Sequence, residues 1–225
     1  RSHTVSEIVL SMCDRTGVMV APWLEAGYEC WIVDVQHPEG VHRDGRLVRV
    51  GADVSRWLPP RTDYRIAFGF PPCTNLASSG ARWFKGKGLA GLADGLAIVE
   101  AVADRCAWTG APWMLENPMG TLSTYWRKPD HTFDPCDYGG WVDGDAYTKR
   151  TCLWTGGGFV MPPHRPIAPT LGSLMHTLPP TDDRGDLRSV TPAGFARAVF
   201  EANENGVTEP VAVGMFEAKE ASTAP

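Results

Sequence analysis

Apolar residues in this chain fall into short runs that are closed by a polar or small residue, with longer stretches of helical spacing between them. Residues 8–12 (IVLSM) read as a buried strand, followed by the polar turn Cys13-Asp14-Arg15-Thr16-Gly17. Residues 18–26 carry helical spacing and stop at Gly27, a residue suited to the position just past a helix C-terminus. Residues 30–33 (CWIV), 47–50 and 66–70 (IAFGF) predict the second, third and fourth strands; Asp34 closes the second and Gly51-Ala52-Asp53 the third. Residues 89–109 predict a helix with Leu92, Leu96, Val99, Ala103 and Ala107 along one face. Residues 113–115 (WML) predict a fifth strand closed by Glu116-Asn117-Pro118, residues 151–155 (TCLWT) a late strand, and residues 192–203 a final helix. Strands alternating with helices imply an α/β fold, one domain over residues 1–205 with a mostly parallel central sheet flanked by helices. Residues 206–225 lack periodicity and read as a C-terminal tail, loosely ordered or serving as a contact arm.

The triplet Pro71-Pro72-Cys73 stands directly after the fourth strand. Proline fixes φ and removes a backbone donor, so Pro-Pro is a stiff exit from a sheet. Ligands of open α/β sheets bind at the carboxyl ends of strands, so a thiol held there is a candidate nucleophile. Glu116-Asn117-Pro118 closes the neighbouring strand, and a carboxyl group beside a thiol can bind a nitrogen-rich ring and share its proton.

Composition narrows the choice of function. The chain's 225 residues are enough for one α/β domain with a full core, and its 43% hydrophobic content suits a soluble protein. No run approaches the ~18 apolar residues of a membrane span. Six cysteines without a C-x-x-C pair or a histidine cluster predict reduced thiols, a cytoplasmic setting and no metal. A net charge of −5 argues against tight, sequence-blind binding to long DNA but leaves room for a local basic site.

Asp34 and Asp53 end the second and third strands, and the first strand leads into a turn and a helix. That is the arrangement of a nucleoside site, in which an acid about 20 residues on accepts hydrogen bonds from ribose. The turn holds one glycine, so a ribose-bearing ligand without a pyrophosphate fits better than a dinucleotide.

Together these residues resemble the cytosine 5-methyltransferases that use S-adenosylmethionine, over roughly residues 8–203. The likeness is nearest to the short methylase-like proteins of phages and prophages. It implies a Rossmann-like methyltransferase domain without a full target-recognition domain, in a cytoplasm that is the host's if the chain is phage-encoded. Cys73 matches the family's Pro-Pro-Cys nucleophile. Glu116 and Asn117 match its Glu-Asn-Val motif, with Pro118 in place of valine. The turn carrying Cys13, Asp14, Thr16 and Gly17 stands where the family has a glycine-rich cofactor loop. Asp34 and Asp53 match the acids that hold the cofactor's ribose and adenine. The resemblance extends the cofactor set to Val35, Val54, Phe70 and Pro71. It also adds Pro192 and Gly194 from a closing motif over residues 189–196. Arg150, with Lys149 as the alternative, echoes the family's base-contacting arginine motif. The implied chemistry adds a Cys73 thiolate to the 6-carbon of cytosine, activates the ring through Glu116, and passes a methyl group from S-adenosylmethionine to the 5-carbon, leaving S-adenosylhomocysteine, with no metal.

Residues 79–91 (SGARWFKGKGLAG) follow the nucleophile and combine Arg82, Lys85 and Lys87 with Trp83 and Phe84 among glycines. A lid that contacts phosphate and stacks on a base has this composition. Residues 156–187 form a Pro-rich insertion where the family places its recognition domain. Three readings stay open on these residues: methylation of DNA with low or short sequence specificity, methylation of a free cytidine nucleotide, and an inert binding module on the same fold. Trp126, Trp141 and Trp154 suit core or surface anchors better than a pocket.

Overall fold

The computed structural model describes residues 7–78, 81, 84–173 and 190–204. Its centre is a seven-stranded sheet built from β1 (Ile8–Met12), β2 (Glu29–Asp44), β3 (Leu47–Gly51), β4 (Tyr64–Gly69), β5 (Trp113–Pro118), β6 (His131–Phe133) and β7 (Thr151–Gly156). The spatial order is β3-β2-β1-β4-β5-β7-β6. Strands β1, β4 and β5 and the first half of β2 run parallel, while β7 is antiparallel to both β5 and β6. This is the expected α/β architecture, a Rossmann-like sheet in which the chain order reverses at β1. β1 pairs with β2 on one side, through Met12 and Val33, and with β4 on the other, through Met12 and Gly69. The crevice beyond the carboxyl ends of β1 and β4 is therefore the topological switch point, where ligands of such sheets bind.

Both faces of the sheet are covered, which is why its central strands read as unbroken apolar runs. All five residues of β1 are buried. One face packs against α1 (Ala21–Glu25) and α4 (Ala193–Asn203), where the Trp23 ring meets Phe200 edge-on at 5.0 Å. The other face packs against α2 (Phe84–Trp108), whose buried residues are Gly95, Val99, Val102 and Cys106. The predicted helix face is rotated slightly: Val102 and Cys106 are buried, while Ala107 is exposed. The short α3 (Leu122–Tyr125) and β6 were not expected, since four and three residues are too few to show a period.

Strand β2 departs most from expectation. Over its first part the partners advance together along β3, Cys30 with Leu47 and Asp34 with Gly51. Over its second part they run in opposition, Gly40 with Gly51 and Asp44 with Leu47. The chain thus reverses after Asp34 and lays an outer ribbon beside β3, where a helix would ordinarily cross over. Gly51 permits the reversal, because a Cβ there would lie 2.0 Å from the Pro38 carbonyl oxygen.

The Pro-rich stretch does not stand apart from the domain. Over residues 156–173 it runs as a strap along residues 134–148, with Arg165 N donating to Asp137 O (2.9 Å), Ile167 N to Cys136 O (2.9 Å) and Thr148 N to Gly172 O (2.8 Å). The Arg165 guanidinium lies 3.5 Å over the Trp141 ring, Trp154 is buried, and Trp126 stacks on Trp154 at 5.8 Å. The remainder of the insertion, 174–187, and the tail, 206–225, lie outside the described residues.

Gly69 sets the distance between β4 and α2, since a Cβ there would sit 2.2 Å from Val102 Cγ1. Gly69→Ala is expected to cost about 1–3 kcal/mol by overpacking. Thermal melts should show a Tm lower by roughly 2–10 °C, partly restored when Val102→Ala is added. An unchanged Tm would show that this contact is slack.

Candidate active site

Two strand ends are stapled together at the switch point. After β4, Phe70 N donates to Met12 O (3.0 Å), and the chain leaves the sheet through buried Pro71 and exposed Pro72. The Cys73 carbonyl accepts from Leu76 N (2.9 Å) and Ala77 N (2.8 Å), which closes a tight turn with the thiol at its start. This turn is pinned to the end of β5. Asn117 Nδ2 donates to Pro71 O (2.9 Å), Ser78 N to Met119 O (2.9 Å) and Thr121 N to Leu76 O (2.9 Å). Gly120 permits the contact, because a Cβ there would lie 2.0 Å from Leu76 O. Asn117 is buried, and its amide holds the turn that carries Cys73.

The antiparallel strand β7 brings a cation to the same edge. Thr151, its first residue, pairs with Pro118, the last of β5, so Lys149 reaches the end where Glu116 stands. Glu116 and Lys149 line a narrow cavity of about 10 Å³ with Phe70, Thr191 and Pro192, room for roughly one water. Burial pushes the Glu116 carboxyl above the usual range, and Lys149 opposes that rise. Burial also raises the Cys73 thiol, Glu116 raises it further, and Lys149 and Lys87 pull it down. Cys73, Glu116 and Lys149 therefore share one electrostatic environment. Arg150 is turned away, exposed and paired with Asp134 at 3.3 Å. Of the two candidates for a base contact, Arg150 thus lies away from Cys73 and Glu116, while its alternative, Lys149, lies with them.

Across the switch point, the turn after β1 is organised by an acid in place of glycines. Asp14 is buried; its Oδ1 accepts from Gly17 N (2.7 Å) and Thr16 N (3.1 Å), and its Oδ2 from Ser11 Oγ (2.7 Å). These amides would otherwise form an anion nest, so the turn is closed to a phosphate. Cys13 adopts left-handed backbone (φ +55°), uncommon for a residue with a side chain. Burial pushes its thiol up to about 12, with Asp34, Asp53 and Asp14 adding to the rise. All three acids therefore lie near the Cys13 thiol, at the ends of β1, β2 and β3. Asp34 is half buried and uses Oδ1 to accept from Gln36 N (2.8 Å). Asp53 is exposed and accepts from Ser55 N (2.9 Å) and Ser55 Oγ (2.7 Å). Val35 is exposed beside Asp34, whereas Val54 belongs to the core.

The closing segment contributes Thr191 and Pro192 to the cavity, but Gly194 serves packing. Its N–H donates to buried Asp145 Oδ2 (2.7 Å), and a Cβ there would lie 2.3 Å from Tyr138 O. Asp145 went unnoticed in the sequence. The residue preceding α4 is Pro192, which has no side-chain acceptor, and that missing local cap is the signal that a remote one is needed. In the predicted lid, Lys85 is exposed and Lys87 Nζ donates to Thr74 O (2.5 Å), while Arg82 and Trp83 lie outside the described residues. Among the described residues no group of three or more His, Cys, Asp or Glu could hold a metal, and no helix is long and apolar enough to cross a membrane.

No protein-family model and no curated protein matches the chain. Among solved structures, the glycopeptide N-methyltransferase MtfA complexed with (S)-adenosyl-L-homocysteine is 14% identical, with a TM-score of 0.30 over 69% of this chain and 59% of that one. The CcbJ methyltransferase from Streptomyces caelestis is 12% identical, with a TM-score of 0.31 over 57% of this chain and 49% of its own. The chain thus spans about half to three fifths of those proteins' length, and likeness at this level identifies no family.

The Glu116 environment makes a stability prediction. A carboxyl whose pKa is raised by folding binds its proton more tightly in the folded state, so the stability it allows falls as pH rises from the ordinary carboxylate range through the raised value. Glu116→Gln should therefore raise the urea midpoint at pH 8 and leave it nearly unchanged at pH 4. Equal effects at both pH values would show that Glu116 is not perturbed.

Proposed function

We propose that the protein transfers a methyl group from S-adenosylmethionine to the 5-carbon of cytosine in DNA, through a covalent adduct on Cys73. The observation that carries this reading is the meeting of Cys73, Glu116 and Lys149 at one sheet edge, beside the Asp14, Asp34 and Asp53 cluster at the switch point. The cofactor fits the residues present: the phosphate nest is closed by Asp14, Asp34 keeps an oxygen for ribose hydroxyls, and Val35 offers an apolar surface. When bound, S-adenosylmethionine supplies an electrophilic methyl group.

The chain's own residues prepare the ring to receive it. Cys73, as thiolate, adds to the 6-carbon, and the displaced electron pair moves onto the ring. Glu116, whose proton is bound more tightly under burial, donates to the ring nitrogen and drains that charge. Lys149 stabilises the Cys73 thiolate and shares a cavity with the same carboxyl. After the 5-carbon is methylated, loss of its proton to a base lets the Cys73 thiolate leave as the ring double bond reforms. A second reading, methylation of a free cytidine nucleotide by the same residues, is favoured by the net charge of −5 and by the packing of residues 156–173 as a strap.

Labelled methyl transfer to duplex DNA, single-stranded DNA and dCMP, measured side by side, tests both. Incorporation into DNA is expected for the wild type, background counts for Cys73→Ser, and a loss of roughly 10²- to 10⁴-fold for Glu116→Gln. Incorporation into dCMP alone would select the second reading. No incorporation into any of the three would overturn both.

A further inference from the structure

Lys87 has a place that the chemistry above does not use. Helix α2 is interrupted at Gly88, whose φ of +65° and ψ of −168° are not helical, so residues 84–87 form a separate turn ahead of the main helix. Only a residue without a side chain adopts that conformation freely. Around it Lys85, Gly86, Gly88 and Leu89 are exposed, but Lys87 is half buried. Its Nζ donates to the carbonyl of Thr74, the residue after Cys73, at 2.5 Å. Gly91 leaves room for this path, since a Cβ there would lie 3.0 Å from Lys87 Cβ and 3.7 Å from Asn75 Cγ. Two glycines and one hydrogen bond thus fold an ammonium group back onto the nucleophile turn.

The charged groups that face Cys73 come from three elements: Glu116 from the end of β5, Lys149 from the approach to β7, and Lys87 from the start of α2. Glu116 opposes the thiolate and the two lysines favour it. The lysines are not equivalent. Lys149 acts on Glu116 as well, whereas Lys87 is not among the groups that shift Glu116. A displacement of the 84–87 turn would therefore act on Cys73 directly and on the ring-activating carboxyl only through Cys73.

We propose that Lys87 is a positioning residue that couples the docking of the 84–87 turn onto Thr74 to ionisation of the Cys73 thiol. With Lys87 bonded to Thr74, the cation is held at the residue after Cys73 and the proton leaves to water more readily. With Lys87 released, burial and Glu116 are opposed only by Lys149 and the backbone bond at Cys73, and ionisation moves to higher pH. The value of this coupling rests on Cys73 being the nucleophile, but the coupling itself is measurable without methyl transfer.

Alkylation of the full-length protein by iodoacetamide, followed across pH and read at Cys73 by peptide mapping, tests it. The thiolate displaces iodide from the neutral reagent, so the rate reports ionisation directly. Lys87→Met should move the Cys73 midpoint upward by roughly half to one pH unit, from a nearby, partly solvent-screened unit charge at an effective dielectric of about 40 to 80. Below the midpoint its rate should fall about three- to tenfold. Lys87→Arg should restore the wild-type profile, because it keeps the charge and can reach the same carbonyl. An unchanged midpoint in Lys87→Met, with the wild-type circular dichroism spectrum, would overturn the proposal. So would failure of Lys87→Arg to restore the profile. A shifted midpoint in a protein that transfers no methyl group would instead sustain the coupling and remove the proposed function.

Discussion

A buried hydrogen bond from Asn117 Nδ2 to the Pro71 carbonyl joins the two strand ends on which the site is built. Pro71 and Pro72 have no N–H to offer the sheet, so nothing in β4 itself fixes where the chain goes after Phe70. Asn117 supplies that constraint from β5. Its Oδ1 is buried without a partner, a cost retained where the amide's position matters more than its own satisfaction. The bridge between Ala77 and Gly120 and the bond from Thr121 N to Leu76 O extend the staple along the turn. Cys73 then has little choice of place, and Glu116, one residue before Asn117, is fixed relative to it by the same bond.

The electrostatics follow from that placement. Burial raises the pKa of both the Cys73 thiol and the Glu116 carboxyl, and Lys149 opposes both rises. Lys149 enters because β7 runs against β5 and so begins at the end where β5 stops. The β1 side of the crevice solves a different problem with the same means. Asp14 takes up the amides of Thr16 and Gly17, so the β1 turn is shaped by a carboxylate where glycines would leave the amides open to a phosphate.

Much of this was legible in the sequence where a residue type carries one dominant constraint. The cores of β1, β3, β4 and β7 appear where their short apolar runs predict, whereas β2 continues past Asp34 to Asp44 and β5 carries on through Glu116 and Asn117 to Pro118. The Gly27 stop and the helix that follows the nucleophile turn were equally plain, since spacing and glycine act locally. The reversal of β2 after Asp34 was not legible, because it depends on Gly51 admitting the Pro38 carbonyl from a distant part of the chain. The division of Lys149 from Arg150 was hidden for the same kind of reason. The two are adjacent in sequence, and only Asp134, ahead of β7, decides which of them leaves the site. Asp145 caps α4 from 49 residues away, a contact that no local pattern encodes.

On the proposed mechanism Cys73 bonds to a cytosine ring, and a mechanism-based trap detects that bond. Fluorine at the 5-carbon cannot leave as a cation, so a 5-fluorocytosine substrate should stall after methyl transfer with the protein still attached. In the presence of S-adenosylmethionine, intact-mass analysis should show the protein gaining the mass of the methylated substrate. Peptide mapping should place the bond on Cys73, and Cys73→Ser should give none. An adduct on Cys13, or no adduct with any 5-fluorocytosine substrate while S-adenosylmethionine still binds, would contradict the account.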